Sequence, residues 1–146
     1  MLLKNYIFCD DIRQEINNKF SLIGAYSDRI LITTPKGVNI TWPISLRLSI
    51  YLRIELDKQD IIPNNFDFSL HLKNKTLINV AGNPYTIDTE RRDSNIFITT
   101  EGLQVEPGDL DFNLSLKKDS QLVYDVEVKS ALSIQYNDGA SQRSLS

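Results

Sequence analysis

Residues 44–56 place an apolar side chain at every even position: Ile44, Leu46, Leu48, Ile50, Leu52, Ile54 and Leu56. The odd positions hold Ser45, Arg47, Ser49, Arg53 and Glu55, with Tyr51 the one amphipathic member among them. Successive side chains of a β-strand point to opposite faces, so this run has one dry face and one wet face. A helix would scatter the same residues around its circumference. The parity returns in Phe66, Phe68, Leu70 and Leu72, in Leu110, Phe112, Leu114 and Leu116, and in Leu122, Tyr124, Val126 and Val128. The chain therefore reads as all-β. At ~3.3 Å per residue the run over 44–56 would span ~43 Å, about twice an ordinary strand, so it must coil or serve two sheets. Its parity never shifts, which predicts a smooth coil rather than a bulge within it.

The remaining strands follow from turn chemistry. Residues 6–12 and 20–26 read as a hairpin across the polar stretch containing Asn17 and Asn18, since Asn tolerates the left-handed conformation of tight turns. Residues 30–33 continue or restart that strand, Pro35–Lys36–Gly37 forms a turn, and Pro43 can begin the long strand but not sit within it. Residues 57–65 read as a loop. Strands follow at 66–73 and 76–80, then at 96–100 and 103–106, and a final hairpin pairs 110–116 with residues from 122 onward. Residues 85–95, densely charged after Gly82–Asn83–Pro84, read as the most mobile internal segment. Residues 1–136 are expected to form one domain and residues 137–146 a disordered tail. Several strands with one apolar face each predict an antiparallel two-sheet β-sandwich of Greek-key type, immunoglobulin-like or C2-like, with a closed barrel as the alternative.

Composition narrows the function classes. With 146 residues, a net charge of −3 and a pI near 5.1, the chain lacks the clustered Lys and Arg that phosphate backbones demand, so nucleic acid is not expected as a partner. Cys9 is the single cysteine, which excludes an internal disulfide and any multi-cysteine zinc site and suits a reducing compartment. No stretch approaches the length of an apolar transmembrane helix, and residues 2–5 do not make a secretory signal. The expectation is a cytoplasmic protein with neither a membrane nor a cofactor requirement.

Candidate chemistry is sparse. His71, the one histidine, has the polar parity of its strand and is expected on the solvent face with no nucleophile beside it. Cys9, between Phe8 and Asp10, reads as a buried inert thiol. The acidic groups Asp10 and Asp11, Asp57 and Asp60, Asp88 with Glu90 and Asp93, and Asp109 and Asp111 match no calcium-loop spacing. They leave open a Ca²⁺ or small-ligand site on acidic loops, or an enzyme with loop-borne carboxylates. Arg91 and Arg92 are offset by neighbouring acids, and Gly24, Gly82 and Gly102 form no phosphate-cradling pattern. Trp42, beside Pro43, reads as sealing one end of the core, with surface recognition as the alternative, while Tyr26, Tyr51 and Tyr85 are amphipathic candidates for contact. Tyr51 stands out: it occupies the polar parity between Ser49 and Arg53, and Tyr and Arg are enriched at interface hot spots.

The segment Phe8–Cys9–Asp10–Asp11–Ile12, the later Lys19–Phe20–Ser21–Leu22–Ile23–Gly24–Ala25–Tyr26, the alternating run over 52–56 and the Pro107–Gly108 turn together resemble a family of small bacterial β-sandwich proteins, a domain of unknown function. The likeness covers most of residues 6–136. Its motifs are strand-and-turn grammar, so it implies a fold but no activity and no site residue. The preferred functional expectation is a non-catalytic cytoplasmic module that binds another protein or its own copies through Ser49, Tyr51 and Arg53, with no catalytic or metal-binding residue.

Overall fold

The computed structural model describes residues 1–17, 19–84 and 93–138. Its strands are β1 (Leu2–Gln14), β2 (Phe20–Tyr26), β3 (Arg29–Thr33), β4 (Ile44–Glu55), β5 (Asn65–Leu72), β6 (Lys75–Gly82), β7 (Asp93–Val105), β8 (Gly108–Lys118) and β9 (Gln121–Asn137). They form a four-stranded sheet, β2-β1-β4-β7, packed on a five-stranded sheet, β3-β9-β8-β5-β6. The all-β sandwich read from the alternation is the observed architecture.

Parity places the core between the sheets. Leu48, Ile50, Leu52 and Ile54 of β4 meet Phe68 and Leu70 of β5 and Leu110, Phe112, Leu114 and Leu116 of β8 in one apolar cluster. All of these are fully or almost fully buried. Each such side chain is worth ~1.5–3 kcal/mol relative to exposure, which pins the register of both central strands. As expected, β4 keeps its parity throughout. The irregularity lies in its partner: between the Leu46–Leu103 and Leu48–Thr100 pairs, β7 carries an extra residue, and Gly102 takes a φ of 73° there. Two tight turns close hairpins of the five-stranded sheet. Lys73 and Asn74 have φ of 50° and 64°, and Asp119 and Ser120 have 49° and 69°, so both turns have the left-handed pair that suits the twist of flanking strands.

Three expectations are corrected. Residues 30–33 do not prolong β2: after Ser27–Asp28 the chain crosses to the other sheet, and β3 pairs in parallel with β9, Ile30 opposite Ile134. Ile30 has core parity for that second sheet, and its burial there settles the crossing. Residues 93–95 are not part of a mobile segment but the buried beginning of β7, with Asp93, Ser94 and Asn95 paired to Glu55, Ile54 and Arg53. Short runs at 96–100 and 103–106 are one strand, joined through the Gly102 bulge. The expectations for Tyr85, Asp88, Glu90, Arg91 and Arg92, and for the tail beyond Asp138, lie outside the described residues.

A fourth correction, to the exposure expected of Ser49 and Tyr51, bears most on function. Only the first part of β1, to Cys9, pairs with β4, while its second part pairs with β2. That second part curls over the outer face of the sheet. Phe20 reaches Tyr51 at 4.9 Å and Phe97 at 5.0 Å between ring centroids, and Tyr51 stacks on Phe97 at 5.5 Å. A small second core results, outside the main one.

Candidate functional site

Of the surface expected from Ser49, Tyr51 and Arg53, only Arg53 remains partly exposed in the folded chain. Ser49 is 0% exposed and Tyr51 is 6% exposed. Their polar groups are spent internally: Ser49 Oγ meets Thr99 Oγ1 at 3.2 Å, the Tyr51 phenol donates to Asn95 Oδ1 at 2.6 Å, and Arg53 Nη2 pairs with Asp93 Oδ2 at 2.8 Å. Burial raises the Tyr51 phenol above its ordinary pKa, against the lowering effect of Arg53. The middle of the wet parity of β4, Ser49 and Tyr51, is thus a satisfied polar layer beneath the β1–β2 hairpin, while Ser45, Arg47 and Glu55 on either side are exposed. Cys9 lies in the same layer, opposite Ser49, fully buried as expected. Burial, and then the charge of Asp10, push its thiol pKa up.

The acidic groups are dispersed and individually occupied. Asp57 and Asp60 stand 3.9 and 2.8 Å from the Met1 amine. Asp11 accepts from Arg47 at 2.9 Å, and Asp109 and Asp111 accept from the hydroxyl and the amide of Ser130 at 3.2 and 2.7 Å. Asp10 crosses to Tyr26, whose phenol donates to it at 2.5 Å. Among the described residues no three His, Cys, Asp or Glu side chains come together as metal ligands. Trp42 is half-buried against Tyr136, ring edge to ring face at 5.5 Å, as a side chain closing one end of the sandwich would be.

The outer face of the five-stranded sheet brings side chains together that are far apart in sequence. Its interior strands β5 and β8 turn their apolar parity to the core, so their polar parity forms continuous rows across the sheet. One row runs Asp67, Ser115, Asp125 across β5, β8 and β9. The next runs Asn79, Ser69, Asn113, Glu127 across β6, β5, β8 and β9. A third places Thr76 and Asp111 on either side of His71. The first two rows line a solvent-open trough of about 490 Å³, and a smaller depression of about 190 Å³ continues it over His71, Asp111 and Lys129. Two lysines neutralise part of its acidity: Lys117 lies 2.8 Å from Asp67, and Lys129 lies 2.7 Å from Glu127 and 3.6 Å from Asp111. The Glu127 hydrogen bond raises the Lys129 ammonium above its ordinary pKa.

His71 corrects one expectation here. It does lie on the outer face, but Ser69, two residues earlier on the same face, places Oγ 2.9 Å from its Nε2, while Thr76 Oγ1 stands 3.1 Å from Nδ1. A nucleophile–base contact was legible in the i, i+2 spacing of a strand. The contact lacks the rest of an acyl-transfer site. A hydroxyl rather than a carboxylate faces Nδ1, and β5 and β8 are each paired on both sides, so their backbone N–H groups belong to the ladders and not to an oxyanion hole.

Free sheet edges, the other route to association, are each interrupted. β2 carries Gly24 at a φ of 66°, β7 the Gly102 bulge, β6 an extra residue at Leu77, and β3 has only five residues. Bulges and short outer strands are how sandwiches blunt edge-to-edge pairing. No helix of the described residues is long and apolar enough to cross a membrane. Comparison of the sequence with protein-family models finds no match, and neither does comparison with curated proteins.

Proposed function

We propose that the protein is a non-catalytic binding module, acting in the cytoplasm, that takes a small polar ligand in the trough on the five-stranded sheet. The observation that carries this reading is the trough itself: about 490 Å³ lined by Asp67, Ser69, Asn79, Asn113, Ser115, Asp125 and Glu127. That volume falls in the range of small-molecule sites, and the lining offers donors and acceptors from four strands of a rigid sheet. Ser49 and Tyr51, expected on a protein-binding surface, are buried. The test is an amide-resolved NMR titration of the full chain with a library of small polar compounds. Saturable shifts confined to β5, β6, β8 and β9 are expected; shifts that map elsewhere, or none, would overturn the reading.

Association with a protein partner is the second reading, and one observation favours it. Leu2, Ile61, Ile62 and Leu122 are 48–57% exposed. They share one end of the sandwich, where Leu2 pairs with Glu55 at the end of β4 and Asn64 donates to the carbonyl of Lys117, itself opposite Leu122. Exposed apolar side chains gathered in this way suit a protein contact. Replacing Ile61 and Leu122 with Asp should then abolish recovery of a partner without lowering the melting temperature.

A further inference from the structure

We infer that the ligand of the trough is a neutral, hydroxyl-rich molecule of the saccharide class; the inference rests on the binding reading just given. The lining divides into two carboxamides, two hydroxyls and three carboxylates. Carboxylates and carboxamides are planar and offer two acceptor or donor atoms at one spacing, which matches the two adjacent hydroxyls of a vicinal diol. Each hydroxyl of such a ligand both donates and accepts; the three carboxylates of the trough accept, and the two carboxamides can do either. Along the second row the order is amide, hydroxyl, amide, carboxylate, from Asn79 through Ser69 and Asn113 to Glu127.

Charge argues in the same direction. Asp67 and Glu127 already hold the ammonium groups of Lys117 and Lys129, so two of the three lining carboxylates are neutralised from the rim. Asp125, itself exposed, accepts from Ser115 Oγ at 3.1 Å. Asp125 alone of the three lies outside these ion pairs, and every one of these oxygens keeps acceptor capacity. A peptide is the poorer fit, because interface hot spots are aromatic or Arg anchors seated in dry pockets, and every side chain lining the trough but Phe68 and Val126 is polar. Phe68 and Val126 themselves belong to the core-facing parity of β5 and β9.

Without an aromatic platform the affinity rests on hydrogen bonds alone, which places the dissociation constant on the order of 1 mM. The experiment follows the backbone amides of the full chain by NMR during titration with cellotriose, maltotriose, tri-lysine and an acetylated tri-serine amide. Saturable shifts on β5, β6, β8 and β9 with a trisaccharide, weakened about fivefold by Asn113→Ala and again by Asp125→Asn, are expected. Unchanged melting temperatures of both variants keep the loss attributable to the site. Saturation by tri-lysine or the serine peptide, with neither saccharide binding, would overturn the saccharide assignment and leave the binding reading standing. No saturable shift on this face with any of the four probes would overturn both.

Discussion

The phenol of Tyr51 donates a hydrogen bond of 2.6 Å to Asn95 Oδ1, inside a layer that faces away from the main core. The bond joins β4 to the start of β7 on the outer face of the sheet, beneath Phe20 of the β1–β2 hairpin. A residue whose parity says solvent is therefore a structural member of the fold.

Tyr51→Ala should accordingly destabilise the protein by about 3–5 kcal/mol, as for other buried aromatics. Tyr51→Phe keeps the stacking on Phe97 and removes only the donor, leaving Asn95 Oδ1 buried without it, and should cost ~1–3 kcal/mol. Urea unfolding of both variants checks the pair. An unchanged midpoint for Tyr51→Ala would return this face to solvent.

The inner parity of β4 gives a second expectation. Leu48→Ala or Ile50→Ala should cost ~2–5 kcal/mol, because both side chains are fully buried in the main cluster. Arg47→Ala should cost under about 0.5 kcal/mol, since its pair with Asp11 is half exposed. Equal costs on the two faces would contradict the strand assignment.

Asp10, Gly24 and Tyr26 form a dependent set. A Cβ on Gly24 would collide with Asp10 Oδ2, and the φ of 66° is unfavourable for any other side chain. Gly24→Ala should destabilise by about 1 kcal/mol or more and push Asp10 off the Tyr26 phenol. The pKa of Tyr26 is raised to about 12, first by burial and then by the hydrogen bond to Asp10. A raised folded-state pKa means that the stability it contributes is complete below the ordinary tyrosine value and is lost as pH rises towards about 12. Ultraviolet titration of phenolate should show Tyr26 ionising late in the native protein, and earlier in Gly24→Ala.

Cys9, buried opposite Ser49 with its pKa raised by burial, should label slowly with a thiol reagent in the native state and rapidly in urea. Rapid stoichiometric labelling of the folded chain would show that the β1–β2 hairpin does not cover the outer face of β4.

Alternation is a local property of the pleat, and so most strands, their inward faces and the all-β class were legible in the residues alone. Leu48, Phe68, Phe112 and Leu114 were legible as core, and the final hairpin as a hairpin, because each of these depends on neighbours a few residues away; the two-residue lengths of its turn and of the Lys73–Asn74 turn were not. What lies over the second face of a strand depends instead on the path of distant chain. That path brings the β1–β2 hairpin over Ser49 and Tyr51, carries β3 across to pair in parallel with β9, and buries Asp93 and Asn95. The trough has the same origin. Ser69, Asn79, Asn113 and Glu127 share no spacing in the chain, and become one row only through the registers of four strands. Register is set by the burial of the opposite, apolar face, so the core that the sequence announces is also what aligns the polar rows that it does not.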